Sequence, residues 1–212
     1  MSRFQELPPL EQSVLQSARL NLIRRYRDEF DEETLDEFLL SSFEQLAGSA
    51  TVGSFLPLLA ERFARQRLDA MLRVKHRDAD APPIVLFLCV HNAGRSQMAL
   101  GWFNHLAQGK AIAWSGGSEP GSQVNPAAVE AMKEIGIDIT QEFPKPWTDE
   151  IVQAADVVVT MGCGDTCPYF PGKRYEDWVL EDPADLTVDD VRPIRDEIGR
   201  RVDALLQEVL PV

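Results

Sequence analysis

The sequence predicts an α/β domain with a mainly parallel sheet, preceded by a small all-α bundle. Three observations carry this. The first 76 residues hold apolar stripes at helical spacing. Beyond residue 83, short β-branched runs alternate with helical segments. Between them lies RDADAPP (77–83), a polar stretch ending in two prolines. The expected domains are therefore residues 1–80 and 81–212.

In the first domain, Val14, Ala18, Leu22 and Tyr26 fall at four-residue spacing and predict one helix. Leu35, Phe38, Leu39, Phe43 and Leu46 predict a second, with Asp31 and the Glu residues after it marking its start. GSATVG (48–53) separates it from a third stripe of Leu56, Leu59, Ala60, Phe63, Ala64, Leu68, Met71 and Leu72. Three amphipathic helices with short connections predict a bundle. In the second domain, IVLFL (84–88), AIAWS (111–115) and DVVVTM (156–161) read as strands. SQMALGWFNHLA (96–107), NPAAVEAMKEIG (125–136) and residues 188–209 read as helices. The last presents Val191, Ile194, Ile198, Val202, Leu205 and Val209 as its buried stripe. Strands alternating with helices imply a parallel sheet covered on both faces.

The net charge of −13 is uneven: residues 1–80 carry 11 Lys/Arg against 14 Asp/Glu, and residues 81–212 carry 10 against 20. So acidic a chain is a poor candidate for binding nucleic acid, and an anion site in the second domain must work through local dipoles against the overall field. No apolar run reaches about 18 residues, so a membrane span is not expected. The segment MSRFQELPPLEQ lacks the apolar core of a signal peptide, which places the expected location in the cytoplasm. The three cysteines, Cys89, Cys163 and Cys167, are too few for a disulfide scaffold. They fit a reducing compartment, as core residues, metal ligands or redox catalysts.

In VLFLCVHNAGRSQMALGW (85–102), Cys89 ends the first predicted strand and Ser96 opens a helix. The loop Val90, His91, Asn92, Ala93, Gly94, Arg95 contains two small residues that let the backbone curl. A loop entering a helix presents unpaired N–H groups and the positive end of the helix dipole. Arg95 adds a fork of donors suited to a tetrahedral oxyanion. Such a concavity binds phosphate-like anions and is expected to hold Cys89 as a thiolate near neutral pH, with Ser96 as a hydrogen-bond donor to it. A plainer reading makes Cys89 a core cysteine and Arg95 a surface charge. The strand–loop–helix context favours the anion site.

C-V-H-N-A-G-R-S resembles the phosphate-binding loop of the low-molecular-weight tyrosine phosphatases and of the arsenate reductases that share their fold. FLCVHNAGRSQMALGW and NPAAVEAMKEIGIDIT (125–140) are more similar to the reductase branch, and the resemblance covers about residues 84–209. It implies a parallel four-stranded sheet flanked by helices. TMGCGDTCP (160–168) then supplies two more cysteines. Half of a zinc site is one reading, but no second C-x-x-C or paired His completes it, and recruiting Cys89 and His91 would sacrifice the anion loop. Incidental cysteines are another reading, and a redox relay a third. A phosphatase needs one cysteine; three make sense if electrons leave the protein.

By this resemblance Cys89 is the nucleophile, Cys163 attacks it, and Cys167, followed by Pro168, takes over the disulfide for reduction by thioredoxin and ultimately NADPH, with no bound cofactor or metal. C-G-D-T-C is shorter than the family often has and leaves less loop to uncoil. The resemblance also makes Asp182, in WVLEDPADL (178–186), the general acid; Pro183 restricts its backbone. Ala184 stands where phosphatase relatives usually carry Tyr. Asn92 is expected to brace the loop and Ser115 to help hold it. Some relatives bind potassium beside the loop through a helix acid; Leu100 stands at that position, which argues against a cation site. His91 and His105 read as structural or exposed, and Trp102 and Phe103 as packing residues. The N-terminal helices resemble extensions on some actinobacterial-type reductases, with stabilisation, homodimerisation and partner binding all open as uses. The expected function is reduction of arsenate, with phosphate or sulfate as further occupants of the loop. The alternatives are a protein-tyrosine phosphatase, a reductase resolved by a low-molecular-weight thiol such as mycothiol, and a non-catalytic oxyanion-binding module.

Overall fold

In the computed structural model the described residues are 3–48, 55–76, 78, 80–162 and 169–210. The chain forms two compact units, residues 1–72 and 73–212.

The first unit contains α1 (Arg3–Glu6), α2 (Pro9–Tyr26), α3 (Glu32–Ala47) and most of α4 (Leu56–His76). The Asp31 side chain accepts from Thr34 N and caps α3, and these hydrogen bonds hold its carboxyl below the usual carboxylate range. On α2 the buried face is Leu15, Ala18, Leu22 and Tyr26, while Val14 is exposed. This corrects the expected stripe. Residues strictly four apart drift about 40° per step round a helix, so Val14 lies roughly 120° from Tyr26, whereas Leu15 stays in phase. Polar pairs tie the helices together. Arg19 donates to the fully buried Asp36 at 2.6 Å. The Tyr26 hydroxyl donates to Asp69 Oδ1 at 2.7 Å. The Arg67 guanidinium lies over Phe38 and donates to Ser41 and Ser42.

The second unit is a four-stranded parallel sheet in the order β2-β1-β3-β4. Its strands are β1 (Ile84–Cys89), β2 (Ile112–Gly117), β3 (Val157–Thr160) and β4 (Arg174–Asp177). β1 is buried along all six residues, as befits a central parallel strand covered on both faces. Its alternate residues Val85, Phe87 and Cys89 join one core with α5 (Arg95–Ala107), α6 (Pro126–Glu134) and α8 (Val188–Val209). In that core the Phe103 ring meets Phe87 edge-on, and the Trp102 indole packs over Gly199 and donates to Arg195 O. A short helix, α7 (Asp149–Ala154), meets β1. The fourth strand implied by the resemblance is present as β4, but neither its position nor α7 was located in the sequence. β4 is RYED, an edge strand of polar residues, and α7 is too short to show a period. Among the described residues no helix is long and apolar enough to cross a membrane.

Burial, with Asp69 accepting its proton, pushes the Tyr26 phenol well above its usual value. The folded state thus favours the neutral phenol, whereas the unfolded phenol ionises near pH 10. This contribution is complete below about pH 10 and is lost as pH rises through the raised folded value. Tyr26→Phe is expected to lower stability by about 1 kcal/mol at pH 7 and to flatten the fall in stability above about pH 10. Urea unfolding at both pH values checks this; equal alkaline slopes in the two proteins would contradict it.

Candidate active site

β1 is the strand at which the chain switches direction across the sheet, to β2 on one side and β3 on the other. The carboxyl end of such a strand opens into a crevice where α/β folds bind ligands. Cys89 stands there, with residues 90–94 between it and α5.

The hydrogen bonding of that loop sets its polarity. Val90 O accepts from Glu119 N, His91 O from Gly121 N, Ala93 O from Asn125 N and Gly94 O from Met98 N, each at 2.9 Å. Asn92 O accepts from Gln97 Nε2 at 3.0 Å. Every carbonyl from 90 to 94 is thereby drawn to a donor outside the loop, so the amide hydrogens are left to converge on its interior. Gly94 offers no side-chain cap, and the first amides of α5 add to the same cradle.

Asn92 is the internal brace. It is fully buried and adopts a left-handed backbone, φ +46°, which costs an L residue of order 1 kcal/mol and suits Asn better than most. Its Oδ1 accepts from Lys145 N at 3.0 Å and from Gln97 Nε2 at 3.3 Å, and its Nδ2 donates to Ser96 Oγ at 2.8 Å. With that lone pair taken, the Ser96 hydroxyl proton is free to point at Cys89 Sγ, 3.0 Å away. Gly117, paired with Cys89 in the sheet, backs the loop; a Cβ there would lie 2.5 Å from Val90 O and 2.9 Å from Asn92 N.

Arg95 and Asp182 meet at the mouth. Arg95 is buried and donates through Nη2 to Asp182 Oδ2 at 2.6 Å, while Ala184 N donates to the other carboxylate oxygen at 3.1 Å. Pro183 lies against Gly94 so closely that a Cβ at Gly94 would fall 2.4 Å from its ring. Cys89, His91, Arg95, Asn125, Asp182 and Ala184 line a cavity of about 40 Å³. A larger open groove of about 320 Å³ lies at the amino ends of β3 and β4. Within it Arg73 pairs with Asp156, and Lys173 donates to Gln153 O and Ala155 O.

The structure therefore brings together Cys89, Val90, His91, Asn92, Ala93, Gly94, Arg95, Ser96 and Asp182. Cys163, Cys167 and Pro168 lie outside the described residues. The residue before Cys163 is described: Gly162 has φ +75°, and a Cβ on it would lie 2.9 Å from Arg95 Nη1. The chain thus enters the second cysteine segment alongside the guanidinium of the anion loop. His91 is exposed, with its Nδ1 3.0 Å from Glu119 O, and His105 is exposed on α5. Ser115 is buried and accepts from Lys145 Nζ at 3.3 Å, so it reaches the loop through Lys145. Three contributors were missed in the sequence. Gln97 and Asn125 anchor loop carbonyls, and the buried Lys145 supplies Asn92 with its amide while its ammonium lies over Phe143. Asn125 carried a partial signal: Asn followed by Pro is a helix-start pattern. FPKPW gave none, since nothing local marks that lysine as buried.

Residues 84–166 match the low molecular weight phosphotyrosine protein phosphatase family, and residues 15–72 match a protein-tyrosine-phosphatase-like N-terminal domain. An arsenate reductase of Halalkalibacterium halodurans is 42% identical over 129 residues, covering 56% of this chain and 91% of the relative. A glutaredoxin arsenate reductase of Synechocystis is 36% identical over 128 residues, covering 59% of this chain and 97% of the relative. The solved structure of a Corynebacterium glutamicum thioredoxin-dependent arsenate reductase superposes with a TM-score of 0.83 at 39% identity, covering 93% of this chain and 96% of that one.

Gly117→Ala is expected to push Val90 O and Asn92 N out of place, because the clash is with backbone that cannot rotate away. Binding of inorganic phosphate should weaken at least about tenfold, with the overall fold retained by circular dichroism. Unchanged phosphate affinity would show that the loop does not depend on this close approach.

Proposed function

The chain belongs to the arsenate reductases built on the low-molecular-weight phosphotyrosine phosphatase fold, and from that membership we propose that it reduces arsenate to arsenite through a three-cysteine relay re-reduced by thioredoxin. The observation that carries the reading is the ring of outward-anchored carbonyls round the buried Cys89 sulfur, with Arg95 and Asp182 at its mouth.

Arsenate seats its oxygens on the inward amides of the loop, and Arg95 turns part of its fork from Asp182 to the anion. Cys89 attacks arsenic as the thiolate. Asp182 takes a proton from one arsenate hydroxyl and gives it to the departing hydroxyl, which leaves as water while an S–As bond forms. The Cys163 thiolate then attacks Cys89 sulfur. The S–As bond breaks, its electron pair stays on arsenic, arsenic(V) becomes arsenic(III), and arsenite departs as the Cys89–Cys163 disulfide forms. Cys167 attacks Cys163, returning Cys89 as a thiolate. The dithiol of thioredoxin reduces the resulting Cys163–Cys167 disulfide, taking up its oxidation. The close approach of Gly162 to Arg95 supports this order, since Cys163 is the next residue along the chain. The cycle needs a compartment that keeps thiols reduced, which favours the cytosol.

A cavity of about 40 Å³ suits a compact tetrahedral oxyanion, and Ala184 at its edge adds no aromatic wall for an aryl phosphate. Thioredoxin is favoured as the reductant because the thioredoxin-dependent relative matches almost the whole chain.

Arsenate-dependent NADPH oxidation with thioredoxin and its reductase tests the reading. Cys89→Ser should abolish it, and Asp182→Asn should slow arsenite formation by about 10²-fold. Cys167→Ser should release about one arsenite per enzyme and stop; sustained cycling by that variant would refute the relay. Activity that survives loss of both Cys163 and Cys167 when mycothiol is supplied would replace thioredoxin with a small thiol. Rapid aryl phosphate hydrolysis without arsenate-dependent oxidation would make the protein a phosphatase.

A further inference from the structure

We propose that Asn125 is a positioning residue that holds the general acid Asp182 in register with the oxyanion loop; the inference rests on the reading of Asp182 given above. Asn125 uses all four of its polar atoms on different partners, its backbone carbonyl accepting from Val129 N at 3.0 Å in the first turn of α6. Its backbone N–H donates to Ala93 O in the loop at 2.9 Å. Its Nδ2 donates to Pro183 O, also at 2.9 Å. Its Oδ1 accepts from Ala128 N at 3.0 Å and so caps α6.

The consequence follows from what each partner controls. Ala93 O is one of the carbonyls whose outward pull turns the loop amides inward. Pro183 immediately follows Asp182, and its ring fixes the direction in which the preceding carboxyl is presented. α6 is a rigid element of the core, with Ala128, Ala131 and Met132 buried. One residue therefore ties the two together at the same fixed point: its backbone N–H holds the anion cradle and its side chain holds the segment of the proton donor. The Pro183 ring is also buried against Gly94, but the polar contacts of the Asp182 carboxylate itself are exposed or have other work. Ala184 N bonds the Asp182 carboxylate at an exposed site, and the Arg95 bond must give way, at least in part, when an oxyanion enters. The Asn125–Pro183 bond does not compete with substrate. Together with the packing of Pro183 on Gly94, it keeps the Asp182 segment in place once Arg95 has turned to the anion.

The test separates this role from helix capping. Asn125→Ser keeps a good N-cap acceptor but is too short to reach Pro183 O; Asn125→Asp keeps the cap and loses the donor. In single-turnover arsenite formation by the reduced enzyme, Asn125→Ser should slow the rate at saturating arsenate by about tenfold. Its half-saturating arsenate should stay within about twofold, and its melting temperature should be little changed. In the Asp182→Asn background the same substitution should cause no further slowing, because its effect passes through the carboxyl. Asn125→Asp should show the same rate loss and serves if the Ser variant folds poorly. Equal slowing by Asn125→Ser with and without Asp182, or a wild-type rate in both Asn125 variants, would overturn the inference. A wild-type rate in Asp182→Asn alone would overturn the general-acid reading and this inference with it, and is recognised without touching Asn125.

Discussion

The site depends on one constraint: the carbonyls of residues 90 to 94 all point away from the space they surround. A short loop has as many acceptors as donors, and left to itself would offer an anion both. Here each carbonyl is satisfied elsewhere, by Glu119, Gly121, Gln97, Asn125 and the first turn of α5. The remaining N–H groups then act as one positive concavity. This is how a chain of net charge −13 builds an anion site. Local dipoles at a few ångströms outweigh a distributed, screened field.

That constraint reaches beyond the loop. Asn92 sits in a left-handed conformation because Lys145, Gln97 and Ser96 hold all of its side-chain polar atoms. Lys145 in turn accepts from Gly117 N through its own carbonyl and reaches Ser115 with its ammonium, which ties the loop to the end of β2. The sulfur, its hydroxyl neighbour and the amide ring are therefore positioned by the sheet and by α5 together. Arg95, which changes partners in the proposed cycle, lies at the mouth of this nest beside Asp182 and Gly162.

The mouth of the site shows a related economy. Arg95 is held by the Asp182 carboxylate, which gives the buried cation an acceptor. In the proposed cycle the guanidinium exchanges one anionic partner for another when the oxyanion arrives. The cost of burying its charge does not have to be met again at the moment of binding.

Sequence alone determined the local grammar. The run IVLFLC, closed by a loop of small residues and an amphipathic helix, reads as a strand–loop–helix anion site because each part is decided within a few residues. The same holds for Asp31 as a cap and Asp182 before a proline. Tertiary structure decided what depends on distant partners. β4 exists because β3 offers it an edge, not because RYED favours a strand. Lys145 is buried because Asn92 and Ser115 receive it. The second role of Asn125 requires Pro183, 58 residues away, to fold back over Gly94. Hydrogen bonds between remote segments leave no period in the sequence, and that is why the chemistry was legible and the scaffold that aims it was not.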